Sequence, residues 1–294
     1  MASSAPLVVI VGPTASGKTA LAIEIAKQHN GEIICADSRT VYAGLDTGTA
    51  KPTVAEQAMV KHHGIDLVTP DASFTAADFQ QYANKKIEEI STRSRLPIMV
   101  GGTGLWIDSV LFNYQFGGPA DRALRQELAI LTTEELRNRC MNDNIELPQN
   151  TKNRRHLTRA IEQNGINNNR DKLPREHTVV IGIDADRTTL EGRIRARAEQ
   201  LFAHGAVIEA SQLAAKYGWD CEAMTGNIYR VARRLLNQEI TENEAFEQFI
   251  RSDLQLAKRQ RTWFRRNQFI HWSQDPTELK DYVEHFLASE KSTV

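Results

Sequence analysis

The sequence predicts an α/β fold, in which a mostly parallel β-sheet flanked by helices carries an inserted helical subdomain and a helical C-terminal part. Three observations lead to this prediction. Short apolar runs alternate with helix-like stretches in the first part of the chain, which is typical of parallel sheets covered by helices on both faces. A strand-poor segment then interrupts the alternation, and helical spacing dominates after it. We therefore predict an α/β core made of residues 1–111 together with 178–294, and an inserted helical subdomain at 112–177.

Each predicted element follows from local patterning. Five apolar runs predict buried strands at 7–11, 32–36, 65–68, 97–100 and 178–183. Helical spacing predicts helices at 18–28, 54–61 and 75–93 in the core, and at 122–131, 134–141 and 152–163 in the insertion. Ligands of such sheets collect outside the carboxyl ends of the strands, so the residues that follow each strand are the candidates for a site.

Composition excludes several classes of protein. The chain has 294 residues, 41% of them hydrophobic and 25% charged, with a net charge of −1, as in an ordinary globular protein. Binding to nucleic acid would therefore need a local basic patch. Cys35, Cys140 and Cys221 are far apart and form no C-x-x-C pair, which argues against a disulfide framework or a zinc site and favours a reducing cytosol. The N-terminal MASSAPLVVIVG predicts neither a signal peptide nor a membrane span.

The first predicted strand leads into GPTASGKT at residues 12–19, which matches the P-loop pattern G-x-x-x-x-G-K-[ST] and opens a helix. The fold is therefore expected to be P-loop NTPase-like. Backbone N–H groups of such a loop converge on an anion, Lys18 adds a positive charge, and the Thr19 hydroxyl can hold Mg²⁺ between two phosphates. The motif predicts a pyrophosphate-binding site formed by Gly12, Thr14, Ala15, Ser16, Gly17, Lys18 and Thr19. By itself it does not distinguish ATP from another diphosphate.

Polar residues also follow the second and fourth predicted strands. Asp37, in ADSRTVY, could hold Mg²⁺, act as a general base, or cap a turn with Ser38. The segment GGTGLW at 101–106 places two glycines and the Thr103 hydroxyl at the start of the next helix. Taken alone, this glycine-rich turn is only weak evidence for a functional site.

A polar loop at 44–53 with one lysine, Lys51, lies between the second and third strands. Loops of this length beside a phosphate site are more often functional than not. His62 and His63 come next and are predicted to lie in a solvated turn.

Basic residues concentrate in two places. One is in the insertion, where four basic residues lie close together: Lys152, Arg154, Arg155 and Arg159. They form either a functional basic cluster or only a solvated basic face. The C-terminal helix begins at the capping-box pair of Thr241 and Glu244. Its predicted buried stripe is Phe246, Ile250, Leu254, Ala257 and Phe264. The basic residues off this stripe are Arg251, Lys258, Arg259, Arg265 and Arg266, which is the electrostatic footprint expected for nucleic acid.

These motifs together resemble those of tRNA dimethylallyltransferases. GPTASGKT, DSRTVY, GTAKP, GGTGLW, an insertion with RAIE at 159–162, and AKRQRTWFRR occur in the family's order, over about residues 7–272. GTAKP and AKRQRTWFRR are far more specific than the P-loop. Enzymes of this family transfer a dimethylallyl (isopentenyl) group from dimethylallyl diphosphate to N6 of the adenosine immediately 3′ of the anticodon in tRNA, giving N6-isopentenyladenosine.

The resemblance implies roles for individual residues. Asp37 would be the base that deprotonates the attacking amine, and Thr103 would orient the amine or the bridging oxygen. The P-loop, Mg²⁺ at Thr19 and Arg197 would stabilise the departing diphosphate. The residues that it assigns to tRNA are Ser38, Thr40, Tyr42, Lys51, Arg155, Arg159, Lys258, Arg259, Gln260 and Arg265. The inserted subdomain would contact the anticodon stem-loop, and we expect a monomeric, cytoplasmic enzyme without membrane association.

The chain departs from the family pattern near the target base. Thr40 stands where the family usually has Gln, Trp106 where it has Tyr, and His156 where it has Arg. The Gly-Tyr-Lys stretch is replaced by TGNIYR. Two other functions share the P-loop chemistry, namely an adenylate isopentenyltransferase acting on free nucleotides and a small-molecule P-loop kinase. Neither of these two functions needs the basic C-terminal helix. A third alternative is a non-enzymatic RNA-binding protein, in which Asp37 and Thr103 would have no function.

Overall fold

The computed structural model describes residues 5–117, 121–148, 150–164 and 170–292. The chain divides into two compact units, one within residues 1–110 and 175–294 and the other within 111–174. We call them the core unit and the insertion unit.

The core unit is built on a six-stranded parallel sheet with the strand order β3-β2-β4-β1-β5-β6. Its strands are β1 (Leu7–Val11), β2 (Gly31–Ala36), β3 (His62–His63), β4 (Leu96–Gly101), β5 (Thr178–Ile183) and β6 (Ile270–Ser273). The strands β1, β2 and β4 are buried at every position, as expected for a sheet with helices on both faces. The predicted α/β class and parallel sheet are confirmed.

The sheet differs from the prediction at both of its edges. The third strand is His62–His63 rather than 65–68, because Asp66 has a left-handed backbone (φ 53°) that breaks the extended run. Val68 forms only an isolated bridge with Tyr42. The prediction of a solvated turn at the histidines is also wrong, since the ring of His63 lies 2.6 Å from the Glu32 carboxylate. The last strand, β6, was not predicted, since the mixed sequence IHWS has no apolar run.

Helices cover the sheet and form the C-terminal part. Those of the core unit are α1 (Lys18–Gln28), α2 (Val54–Met59), α3 (Ala76–Thr92), α4 (Gly104–Leu111, at the unit boundary), α8 (Arg187–Ala203), α9 (Ala206–Tyr217), α10 (Asn227–Leu236), α11 (Glu242–Phe264) and α12 (Pro276–Ser292). A 3₁₀ turn at Glu222–Thr225 precedes α10. No helix in the described part of the chain is long and apolar enough to cross a membrane.

Helix α11 begins as predicted, with a capping box between Thr241 and Glu244. Its buried face differs in part from the predicted stripe. The buried residues are Ala245, Phe249, Ile250, Asp253, Ala257 and Phe264. Phe246 and Leu254 are only partly buried. Asp253, the one acidic residue between Arg251 and Arg266, is buried instead.

The insertion unit is helical, with α5 (Arg122–Ile130), α6 (Thr133–Asn142) and α7 (Arg154–Gln163). Its apolar core is formed by Leu128, Leu136, Cys140, Ile145, Leu157 and Ile161. The Arg154 guanidinium donates to the carbonyls of Leu128 and Ala129 and so closes the end of α5. Arg159 pairs with Glu162, whereas Arg155 is exposed.

Candidate active site

Three neighbouring strands of the sheet end at the same level. Gly101 of β4 is level with Val11 of β1 on one side and with Ala36 of β2 on the other. The residues that come next are Gly12, Asp37 and Gly102. The sheet therefore brings together the three segments that the sequence indicates as strand-end candidates.

The loop of residues 12–19 has the backbone that an anion site requires. Gly12 has φ 152°, and a Cβ there would lie 2.9 Å from both the Ile183 carbonyl oxygen and the Ser16 Oγ. The loop ends at Gly17, whose left-handed backbone (φ 99°) leads into α1. The Ser16 hydroxyl is buried and finds no hydrogen-bond partner in the described part of the chain. An unsatisfied donor at a helix N-terminus fits a loop that binds an anion.

Lys18 is the first residue of α1, and its Nζ donates to the Pro13 carbonyl at 2.6 Å. Burial lowers the pKa of Lys18 to about 8, the nearby carboxylate of Asp37 opposes this shift, and Arg197 adds to it. A buried ammonium with a lowered pKa gains free energy when an anion approaches, because the anion compensates for the missing hydration.

Asp37 and Thr103 lie at the adjacent strand ends. The Asp37 carboxylate accepts the backbone N–H of Arg39 at 2.8 Å and so caps a turn. Turn capping was one of the three roles that the sequence left open for Asp37. The Thr103 hydroxyl accepts the N–H of Ser38 at 3.0 Å. This bond joins the end of β2 to the glycine-rich turn after β4, so Thr103 and Asp37 lie on linked segments. Their catalytic roles stay predictions.

Arg197, in α8, reaches the same loop from the side. Its Nη1 donates to the Thr14 hydroxyl at 2.7 Å, and its Nη2 to the Thr49 carbonyl at 3.3 Å. The guanidinium therefore bridges the loop of residues 12–19 and the polar loop of residues 44–53. Its place beside Thr14 fits the predicted role toward a diphosphate.

Helix α11 contacts the strand ends directly. The carboxamide of Gln260 accepts the Thr14 N–H at 2.7 Å and donates to the Gly102 carbonyl at 3.1 Å. Trp263 donates from its indole to Asp108 at 2.7 Å. The resemblance assigns Gln260 to tRNA, and the structure gives it contacts with both glycine-rich loops.

Asp253 is a site residue that the sequence did not reveal. It is only 4% exposed, and its carboxylate accepts from the Asn227 amide at 2.7 Å. Burial raises the pKa of Asp253, while Arg197, the Asn227 hydrogen bond and Arg259 act in the opposite direction. The only signal in the sequence is one acid among the basic residues of α11.

Three residues that the resemblance assigns to tRNA are buried. Tyr42 is 1% exposed, Thr40 is 5% exposed, and Lys51 is 8% exposed. The Lys51 ammonium pairs with Asp46 and Asp66, each at 2.5 Å. Lys51 therefore holds the polar loop to Asp66. Contact of Tyr42, Thr40 and Lys51 with tRNA stays a prediction. Ser38 is partly buried.

The basic residues of α11 and its C-terminal end fall into two sets. Lys258, Arg259 and Arg266 are exposed and form no ion pair with any residue that the structure describes. Arg265 is also exposed but pairs with Asp184 at 2.7 Å and lies 4.6 Å from the centre of the Trp272 ring. The first set is available to a polyanion, whereas Arg265 already has partners within the protein.

Trp106, one of the departures from the family pattern, is a core residue. Its ring stacks on Phe79 at 4.5 Å and meets Phe74 edge-on at 5.6 Å. It is 4% exposed. The Trp106 side chain therefore fills the space beside α3.

A metal ion at this site would take few ligands from the protein. Within the described ranges, no group of three or more His, Cys, Asp or Glu side chains is arranged to hold a metal. The candidate oxygen ligands are the Thr19 hydroxyl, in the first turn of α1, and the carboxylate of Asp37, which interacts electrostatically with Lys18. Mg²⁺ commonly binds through one or two protein oxygens plus phosphate oxygens and water, so the residues present fit Mg²⁺ that arrives with a diphosphate.

Comparisons with known proteins agree on one family. A family model described as IPP transferase matches residues 40–267. The tRNA dimethylallyltransferase of Desulforudis audaxviator is 40% identical over 282 residues, covering 91% of this chain and 91% of that protein. The tRNA dimethylallyltransferase of Bacillus pumilus is 35% identical over 300 residues, covering 96% of this chain and 94% of that protein. The crystal structure of the full-length tRNA isopentenylpyrophosphate transferase from Bacillus halodurans matches with a TM-score of 0.76 at 33% identity, covering 98% of each chain.

These matches confirm the resemblance that the motifs indicated. The family model spans the strand-end segment DSRTVY from Thr40 onward, the polar loop, the insertion and the basic helix. The Bacillus halodurans structure extends the match over the loop of residues 12–19 as well, since it covers 98% of the chain. This chain belongs to the IPP transferase family.

Proposed function

We propose that this protein transfers a dimethylallyl group from dimethylallyl diphosphate to N6 of the adenosine immediately 3′ of the anticodon in tRNA. The observation that carries the proposal is that α11 joins two kinds of surface. Its Gln260 touches the loop of residues 12–19, while the neighbouring Lys258 and Arg259 are exposed and have no ion-pair partner among the described residues. A polyanion held on this helix would lie beside the anion site.

The chemistry needs positive charge at the leaving group. As the allylic C–O bond breaks, charge grows on the diphosphate, and the N–H groups of the loop, Lys18 and Arg197 would stabilise it. The Thr19 hydroxyl would hold Mg²⁺, which would supply further positive charge at the leaving group. Burial of Lys18 supports this role, because electrostatic interactions are stronger where water is excluded.

The acceptor nitrogen must lose a proton as its bond to carbon forms. The lone pair of an exocyclic adenine amine is delocalised into the ring, so a base is required near N6. Asp37 is our candidate, because its carboxylate lies at the strand-end level of the loop and interacts electrostatically with Lys18. Thr103, which fixes the segment after Asp37 through Ser38, would orient the amine or the bridging oxygen. The adenosine would have to leave the stack of the anticodon loop to reach them.

One experiment separates this function from its alternatives. Purified protein is incubated with labelled dimethylallyl diphosphate and Mg²⁺, together with either bulk tRNA or AMP. We expect label in tRNA alone. Label in AMP would instead support an adenylate isopentenyltransferase. Label in neither acceptor would contradict both prenyl-transfer functions and would leave the kinase.

Three finer assignments accompany the proposal. The insertion unit would contact the anticodon stem-loop through Arg155 and Arg159. The protein would act as a monomer, and its three free cysteines fit a reducing cytoplasm.

A further inference from the structure

The polar loop after β2 is held by a carboxylate from a distant part of the chain. The backbone N–H groups of Asp46, Thr47 and Gly48 all donate to the two carboxylate oxygens of Glu209, at 2.9, 2.7 and 2.9 Å. Glu209 lies in the first turn of α9, more than 160 residues away in the sequence. Three consecutive N–H groups that converge on one carboxylate form an anion-binding turn whose anion belongs to the protein itself.

A fourth donor completes this arrangement. The Tyr229 hydroxyl, from α10, donates to Glu209 at 2.8 Å. Tyr229 is fully buried, and burial together with the charge of Glu209 raises its pKa, so it remains a donor. The loop is shaped for this side chain, because a Cβ on Gly48 would lie 2.6 Å from the Tyr229 hydroxyl.

The segment that Glu209 holds leads directly to the diphosphate loop. Thr49 follows Gly48, and its carbonyl accepts from Arg197 Nη2 at 3.3 Å. Arg197 Nη1 in turn donates to the Thr14 hydroxyl at 2.7 Å. The Thr49 carbonyl is therefore one of the two groups, among the residues that the structure describes, that accept hydrogen bonds from the Arg197 guanidinium. Glu209 fixes the backbone that carries this carbonyl.

We propose that Glu209 is a positioning residue for diphosphate binding, which acts through the turn at residues 46–49 and through Arg197. The inference rests on the proposed function, because it needs a diphosphate at residues 12–19. Glu209 does not touch the ligand in this account. It keeps Arg197 in the orientation that the ligand requires, and so reduces the cost of ordering the site on binding.

The first test is a Glu209→Gln substitution, which keeps the size of the side chain but removes its charge and places an NH₂ group among N–H donors. We expect the KM for dimethylallyl diphosphate to rise about tenfold or more, since hydrogen bonds to charged groups are among the strongest. The KM for tRNA should change less than twofold. The Kd for dimethylallyl diphosphate, measured by calorimetry without tRNA, should rise in parallel.

A double-mutant cycle tests the route through Arg197. If Glu209 acts by orienting Arg197, the Glu209→Gln and Arg197→Gln double variant should bind dimethylallyl diphosphate no more weakly than Arg197→Gln alone. Independent effects that multiply would contradict the proposal. Tyr229→Phe removes one donor and leaves the carboxylate, and it should raise the same KM about twofold to threefold. This variant keeps the test decisive if Glu209→Gln does not fold.

Glu32→Gln is the matched control. The Glu32 side chain is 2% exposed and pairs with His63 and Arg93, but it lies near the start of β2, at the opposite end of the strand from Asp37. The Glu32→Gln substitution should lower Tm and leave the KM for dimethylallyl diphosphate unchanged. If Glu209→Gln behaved in the same way, its role would be structural only and the proposal would be wrong. Failure of the unaltered protein to transfer label to tRNA would instead refute the proposed function.

Discussion

The Gln260 side chain accepts the backbone N–H of Thr14 at 2.7 Å, so the helix with the exposed basic residues is bonded to the loop expected to bind diphosphate. In most P-loops such N–H groups are directed at the ligand. The Thr14 N–H is directed at a helix instead. Gln260 therefore holds the shape of the loop, and its position next to Lys258 and Arg259 in the sequence places it where the two surfaces meet.

A substitution of Gln260 distinguishes two roles for this side chain, namely shaping the loop of residues 12–19 and contacting tRNA. If it shapes the loop, Gln260→Ala should weaken binding of dimethylallyl diphosphate in the absence of tRNA by about threefold to tenfold, the worth of one or two net hydrogen bonds. Calorimetry measures this directly. A residue that only contacted tRNA would leave this Kd unchanged. Gln255→Ala is the control, because Gln255 is an exposed glutamine on the same helix.

A substitution of Asp37 tests the assignment of the base. Asp37→Ala should reduce kcat by about 10²–10⁴, the usual contribution of general-base catalysis. Affinity for dimethylallyl diphosphate, measured at a pH where Lys18 stays protonated in both proteins, should remain within about twofold, because a base acts in the transition state. Lys18→Ala should instead raise the Kd for the diphosphate. If Asp37→Ala chiefly lowered the affinity for Mg²⁺ or for the diphosphate, Asp37 would be a metal ligand.

Much of this site was predictable from sequence because its parts follow strands. The pattern at residues 12–19, Asp37 and Thr103 each occur at the end of an apolar run, and parallel strands bring such ends together. Glu209, Tyr229 and Asp253 were not found, because they come from helices whose packing partners are far away in the sequence. Local periodicity describes which face of a helix is buried but not what it is buried against.

The edges of the sheet were not predicted for a related reason. β6 is a four-residue edge strand of mixed polarity, and β3 has only two residues, both histidines. Such short edge strands have little hydrophobic signal. The buried position of Lys51 shows the same limit, since a lone lysine in a polar loop gives no sign that Asp46 and Asp66 will enclose it.

The lowered pKa of Lys18 predicts how diphosphate binding depends on pH. The free protein holds this ammonium with a pKa of about 8, and a bound anion raises that pKa. Binding above pH 8 must therefore take up a proton, so the affinity should be nearly constant below about pH 7.5 and fall by up to tenfold per pH unit above pH 8. The Kd for dimethylallyl diphosphate, measured between about pH 7 and 9.5, checks this.

Two variants assign that pH dependence to Lys18. Lys18→Arg keeps its charge over the whole range and should flatten the curve. Asp37→Asn removes a carboxylate that raises the pKa of Lys18, so the decline in affinity should begin at a lower pH. A Kd that does not change up to pH 9.5 in the unaltered protein would contradict a role for the Lys18 charge in binding.

The last prediction concerns the basic residues of α11, on which the choice of RNA over a free nucleotide depends. Lys258 and Arg259 are exposed without an ion-pair partner in the described part of the chain, whereas Arg265 pairs with Asp184. If the first two bind tRNA phosphates, the Lys258→Ala and Arg259→Ala double variant should weaken tRNA binding. It should also reduce the slope of log K against log salt concentration by about 0.7–0.9 for each phosphate that is no longer neutralised. The Kd for dimethylallyl diphosphate should not change.

Arg265→Ala provides the contrast at the end of the same helix. Its ion pair is partly exposed and worth at most about 1 kcal/mol, so Tm should fall by a few degrees, about 2–4 °C. The salt slope should stay close to that of the unaltered protein, because this guanidinium already has a carboxylate and the Trp272 ring as partners. Measuring Tm and the salt slope on both variants separates charge that binds RNA from charge that holds the fold. If the double variant lowered Tm and left the slope unchanged, α11 would not be the tRNA surface, and the choice of tRNA would rest on family membership alone.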